Sequence, residues 1–210
     1  MIRLPHSANW RSWLARSEWR EDRGAQLVEF AVSLPLLVVF VVGIFDFSGA
    51  FTLKQKLTNI SRDAARHAAA EPINDLSTSL PVSVSDSFSM IDNYLVANQV
   101  NDCGISLSSA TVSGTTWKYA APGNGTNGCP TAGLTIIINR GYYFPAATGN
   151  LPAGADCVPQ SVAGQTAVIS TCVSIQYGYQ WKFGRAASLL GSTPVLPPTI
   201  TVTAVAMNEN

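Results

Sequence analysis

The sequence predicts an α+β fold: a long N-terminal helix that spans a membrane and continues outside it, followed by an antiparallel β-rich extracytoplasmic domain. Three observations carry this expectation. Phe30–Phe45 (FAVSLPLLVVFVVGIF) contains no charge. Leu53, Leu57, Ile60, Ala64 and Ala68 recur on one face of a helix. From Ala167 to Phe183, apolar and polar residues alternate with the period of a strand. Four parts follow: a cytoplasmic leader over 1–24, a transmembrane segment over 25–51, a helical extension over 52–71, and a disulfide-bonded α+β domain over 72–210.

The uncharged run is slightly short of a bilayer core, since 16 residues rising ~1.5 Å each cover about 24 Å. Full thickness requires flanking residues, which bring in Glu29 and Asp46 as intramembrane charges. Twelve Leu, Ile, Val or Phe residues in the run, at roughly −0.3 to −0.6 kcal/mol each, favour insertion by about 4 to 7 kcal/mol. One acid costs about 2.5 to 3.5 kcal/mol at the centre and less near an end. Insertion therefore wins. A buried soluble helix and a secretory signal cleaved near Ser48-Gly49-Ala50 are the alternatives. The first conflicts with a run that is apolar all round, the second with Asp46 before that site and a long preceding segment.

Only 12% of the 210 residues are charged, against 47% hydrophobic, which argues against intrinsic disorder. Net charge is zero, yet residues 1–71 hold nine of the 13 Lys/Arg and seven of the 13 Asp/Glu. The charge-poor remainder offers no footprint for nucleic acid. Both histidines, His6 and His67, precede it, so a histidine-based metal site or a Ser-His-Asp triad within 72–210 is excluded.

Basic residues flank the apolar run on both sides and do not settle its orientation. The cysteines do. Cys103, Cys129, Cys157 and Cys172 are scattered, without a C-x-x-C pair or a nearby histidine, which argues for two disulfides rather than a metal site. Three connectivities are open, and sequential pairing, Cys103–Cys129 with Cys157–Cys172, is the expectation. Disulfides require an oxidising compartment, which places the C-terminal part outside the cytoplasm.

Past the apolar run, Gly24 to Ala70 reads as one helix with Pro35 as a kink, closed by Glu71-Pro72. A polar linker follows, then a short helix over Ser87–Val96. Ile105-Ser106-Leu107 begins a β alternation, Leu134–Ile138 is a buried strand leading to Gly141–Phe144, and Ala167–Phe183 is a long strand bent near Gly178. A Gly/Ser/Pro-rich loop precedes a last strand over Thr199–Ala206.

No enzyme signal emerges. Gly123–Gly128 lacks the Gly-Lys-Ser/Thr ending of a phosphate loop, and the acids after residue 72 form no close cluster or calcium-loop spacing. No cofactor is expected. Tyr142–Phe144 and Tyr177–Phe183 are packing residues or, in a second reading, the binding face of a membrane-anchored extracytoplasmic domain. Trp10, Trp13 and Leu14 with Arg11, Arg16 and Arg20 are either a small interfacial helix or part of a removable leader.

Arg23-Gly24-Ala25-Gln26-Leu27-Val28-Glu29-Phe30 is the stretch that speaks to function. A carboxylate at the lipid edge needs a partner. Cleavage after Gly24 would make Ala25 a new amino terminus one helical turn from Glu29, and that amine, or a neighbour's, would neutralise it. Snorkelling of Glu29 to the interface is the alternative.

These residues, with Glu29-Phe30-Ala31, Leu34-Pro35-Leu36, Gly43–Phe47 and Ala64–Ala69, resemble the TadE-like family of the Tad/Flp pilus system, which is related to type IV pilins. The resemblance implies a pilin-like fold and a non-enzymatic minor pseudopilin or pilus-assembly component in the inner membrane. It implies Gly24 as the last residue before prepilin-peptidase cleavage, Ala25 as the new N-terminus, Glu29 as the glutamate five residues on, and Phe30 at the family's aromatic position. The partners implied are the bilayer, other pilins or pseudopilins, pilus platform proteins and prepilin peptidase.

Overall fold

The computed structural model describes residues 18–72, 74, 76, 79–125, 128–145, 156–158, 167–188, 191 and 195–209. Trp10, Trp13 and their neighbours lie outside the described residues. The chain divides into two compact units, Met1–Phe45 with Lys182–Pro194, and Asp46–Trp181 with Val195–Asn210. The elements are α1 (Glu18–Ala70), α2 (Val82–Ala97), a 3-10 turn (Ile105–Leu107), β1 (Thr111–Ser113), β2 (Thr116–Ala121), β3 (Leu134–Pro145), β4 (Ala167–Gly178), α3 (Phe183–Ser188) and β5 (Thr199–Met207). The expected α+β architecture, a long apolar helix leading into an antiparallel sheet, is the one observed.

α1 starts six residues ahead of the Gly24 expected, because Glu18–Arg23 is rich in helix-favouring Glu and Arg. It ends at Ala70, where Pro72 removes the α region from the residue before it. α2 also starts early. Val82-Ser83-Val84-Ser85 has the alternation of a strand, but Ser83, Val84, Ser87, Ile91 and Leu95 lie on one buried helical face, and that packing overrides local propensity.

The sheet is a five-stranded antiparallel meander in chain order β1 to β5. Its register builds three cross-strand rows: Trp117–Ile138–Val173–Ala204, Tyr119–Ile136–Ile175–Val202 and Ala121–Leu134–Tyr177–Ile200. All twelve side chains are buried, in one core with Leu57, Ile60 and Ala64 of α1 and Val84, Ile91 and Leu95 of α2. Phe88 adds a stacked ring on Tyr119, centroids 4.0 Å apart. Small residues let the helices approach: buried Ser87 donates its hydroxyl to the Ala64 carbonyl at 3.4 Å.

The opposite face carries a smaller core of Ile137, Tyr142, Cys157 and Cys172. Disulfides join Cys103 to Cys129 and Cys157 to Cys172, so the connectivity is sequential. A β-bulge between Asn139 and Tyr142 flips the parity of β3. Arg140 is thereby fully buried, its guanidinium donating to the carbonyls of Glu71 (2.8 Å) and Pro72 (3.3 Å) just past α1. The Glu209 amide reaches the Ala69 carbonyl at 3.3 Å, so carbonyls the helix leaves open find donors. Asn139 organises the bulge, accepting from Thr115 Oγ1 and the Gly141 amide and donating to the Cys157 carbonyl at 2.8 Å. Gly141 is required there, since a Cβ would meet Thr115 Oγ1 at 2.4 Å.

Two expectations need correction. Ile105–Leu107 is a 3-10 turn and not a strand, because Gly104 ahead of it sits in the left-handed region (φ 70°) and Ile105 plugs the core while Leu107 points outward. The long fourth strand stops at Gly178, whose amide bonds the Gly133 carbonyl at 2.8 Å, and Phe183 belongs to α3.

Replacing Cys157 and Cys172 together by Ser releases a 15-residue loop and should cost about 3 kcal/mol in chemical denaturation. Unchanged stability would contradict the placement of that bridge in the smaller core.

Candidate functional site

The site residues expected from the sequence fall into two settings. Gly24 to Phe30 are all helical and exposed, with Leu27, Val28 and Phe30 each more than half accessible. The Gly24–Ala25 peptide therefore lies inside a continuous helix, and nothing stands within 4 Å of the point where a Gly24 Cβ would be. Ala25 and Glu29 are one turn apart on the same face. Among the described residues no side chain bonds Glu29.

From there to Phe45 nearly every apolar side chain points outward; Val39 and Gly43 are the buried ones. Ser33 satisfies its hydroxyl locally by donating to the Phe30 carbonyl at 3.2 Å. Pro35 lies inside the helix and cannot donate to the carbonyl four residues back. The helix is long and apolar enough to cross a membrane.

Asp46 is different. It is buried at 7% exposure, and the Tyr179 hydroxyl shares its proton between the Asp46 backbone carbonyl (2.9 Å) and carboxylate Oδ1 (3.2 Å). Gly49, on the same helical face, makes room: its Cβ would lie 3.0 Å from the Tyr179 oxygen. Trp181 completes the clamp. Its ring is 5.2 Å from Phe47 and 4.8 Å edge-on from Tyr179, and its indole N–H donates to the Pro197 carbonyl at 2.7 Å. Burial pushes the Tyr179 phenol up, and the charge of Asp46 and the hydrogen bond to it push further, to about 12.

Sequence reasoning singled out Asp46 but missed its partner. The available signal was physical: an acid inside an apolar helix requires a donor, and Tyr179 sits at the end of the alternating aromatic run. Tyr142 and Tyr177 are used for packing, buried on opposite faces of the sheet, while the side chains of Tyr143 and Phe144 lie outside what is described. Asp92 and Asp102, expected as isolated loop acids, are brought together, and burial first and Asp102 second hold the Asp92 carboxyl above the usual carboxylate range. Among the described residues no group of three or more His, Cys, Asp or Glu could hold a metal. A cleft of about 540 Å³ runs along Tyr177–Gln180, Gln99–Asn101 and Pro130, and among the described residues no charged side chain lines it.

Tyr179→Phe should cost about 1 kcal/mol, the hydrogen bond of a half-buried phenol to a buried acid. Because the folded phenol titrates above its ordinary 10.0, that contribution is complete below pH 10 and is lost as pH rises toward about 12. Denaturation of wild type and variant across this window checks it, a pH-independent difference being the contrary result. Asp46→Asn should lower the phenol's midpoint in an alkaline ultraviolet titration.

Residues 24–66 match the family model described as TadE-like protein, in agreement with the resemblance carried by Arg23–Phe47 and Ala64–Ala69. No curated protein and no solved structure matches the chain.

Proposed function

We propose that this chain, TadE-like over residues 24–66, is a non-enzymatic minor pseudopilin of a Tad/Flp-type pilus or related secretion apparatus. The observation that carries the reading is the coincidence of the family match with an outward-facing apolar helix that passes directly into a disulfide-bonded sheet domain. In this reading residues 1–24 are a cytoplasmic leader and 25–51 cross the inner membrane. Residues 52–71 extend the helix outside, and 72–210 form the extracytoplasmic domain, where oxidising conditions maintain the bridges. Within 46–51 the helix turns Asp46 and Ala50 inward and Phe47 and Phe51 outward, as suits the exit from lipid.

Prepilin peptidase cleaves after Gly24. The helix must open there first, and glycine weakens it by about 1 kcal/mol relative to alanine. The freed Ala25 amine places a positive charge at a helix N-terminus, where the macrodipole disfavours it. Glu29, one turn on, offsets that cost and is itself relieved of an unpaired charge beside lipid. Phe30 begins the apolar surface that faces lipid or neighbouring pilins. Pairing across copies makes Glu29 a penalty on the unassembled state.

Glu29→Ala should reduce co-purification with pilus platform proteins and neighbouring pilins at least tenfold, the scale of an unpaired intramembrane acid at about 2.5 to 3.5 kcal/mol. Folding of the outer domain, read from intact disulfides and denaturation, should not change. Undiminished incorporation of the variant would overturn the pairing role.

A further inference from the structure

Within the first unit, α3 lies beside the apolar helix. The Phe183 ring occupies the space in front of Gly43, 3.1 Å from where a Cβ would stand. Gly43 and Val39, one turn apart on one face, are buried, whereas Val38, Phe40 and Val41 are 43%, 64% and 41% exposed. α3 is itself two-sided: Ala187 is buried and Phe183 half-buried, while Lys182, Arg185 and Ser188 are exposed.

The level at which this contact occurs is set by the uncharged run, which ends at Phe45. From Gly43 to Val39 the contact face lies about 3 to 9 Å inside that end at ~1.5 Å per residue. That is the depth, roughly 5–10 Å, at which amphipathic segments settle between head groups and acyl chains. The charge fits as well. Only four Lys/Arg follow residue 71, namely Lys118, Arg140, Lys182 and Arg185, and two of them are here; no acid lies between Asp156 and Glu209.

We infer that Lys182–Ser188 is an interfacial element: seated through Phe183 on Gly43, it lies in the outer leaflet's head-group layer and binds the phosphates of anionic phospholipids through Arg185. The inference rests on the membrane-anchor reading above, and its test separates the two. The described cysteines are all in disulfides, so one added cysteine gives one label site.

The full chain is reconstituted in phosphatidylcholine vesicles with and without phosphatidylglycerol, labelled in turn at Ser188→Cys, Leu36→Cys and Ser113→Cys. Chain-brominated lipids should quench the Ser188 label at shallow depth and the Leu36 label at greater depth, and leave the β1 label at Ser113 untouched. Spin-labelled phosphatidylglycerol should quench Ser188 more than its phosphatidylcholine counterpart. Arg185→Gln should reduce that preference by up to about fivefold, the scale of one basic residue at an anionic surface. Gly43→Leu, which fills the space of the Phe183 ring, should weaken quenching at Ser188 and leave Leu36 unchanged. Quenching at Leu36 with Ser188 as dark to lipid as Ser113 would overturn the interfacial element and leave the anchor standing. Equal quenching by both lipids at Ser188 would overturn the anionic preference. Absence of quenching at Leu36 would remove the anchor itself, and the inference with it.

Discussion

The apolar stripe on the second half of α1 is the constraint on which the sheet domain depends. Leu57, Ile60 and Ala64 have no water-compatible alternative, and three cross-strand rows supply the surface that covers them. Each row needs every strand from β2 to β5 in one register, since a shift by a single residue would turn the buried set to the other face. The bulge at Asn139 begins only where the rows end. There β3 can give up regular pairing and place Arg140 under the end of the helix.

The first half of the same helix is built for different surroundings. From Phe30 to Phe45 its side chains are uncharged and, Val39, Val42 and Gly43 apart, exposed, a surface that water does not tolerate over such a length. The change of regime falls at Asp46, the first residue to turn a polar group inward. Tyr179 and Trp181 hold that point by hydrogen bonds and ring contacts instead of bulk packing. The carboxylate of Asp46 accepts from the Tyr179 phenol, and burial first and that contact second hold the phenol above its ordinary range.

What was legible in the sequence had a clear period. The helical stripe from Leu53 to Ala68 and the alternation in Val173–Tyr177 identified the inward residues by number, because packing demanded the pattern. The β1–β2 hairpin went unread, since β1 is only three exposed residues and carries no burial pattern. The first turn of α2 alternates like a strand, so periodicity alone starts that helix only at Ser87. The Asp46–Tyr179 pairing spans 133 residues of sequence, and nothing local in either segment names the other. α3 was hidden for the opposite reason: the alternation runs on through Phe183, while the backbone leaves the sheet at Gly178. Arg140, a lone cation after an apolar strand, could have been flagged as a buried charge in need of carbonyls.

The fate of the segment before the apolar helix decides whether Ala25 becomes the amino terminus that pairs with Glu29. N-terminal sequencing of the molecule purified from native envelopes tests it most directly. A chain beginning Ala25-Gln26-Leu27 is the predicted result. One beginning at Met1, or at Phe51 beyond the apolar run, would contradict it.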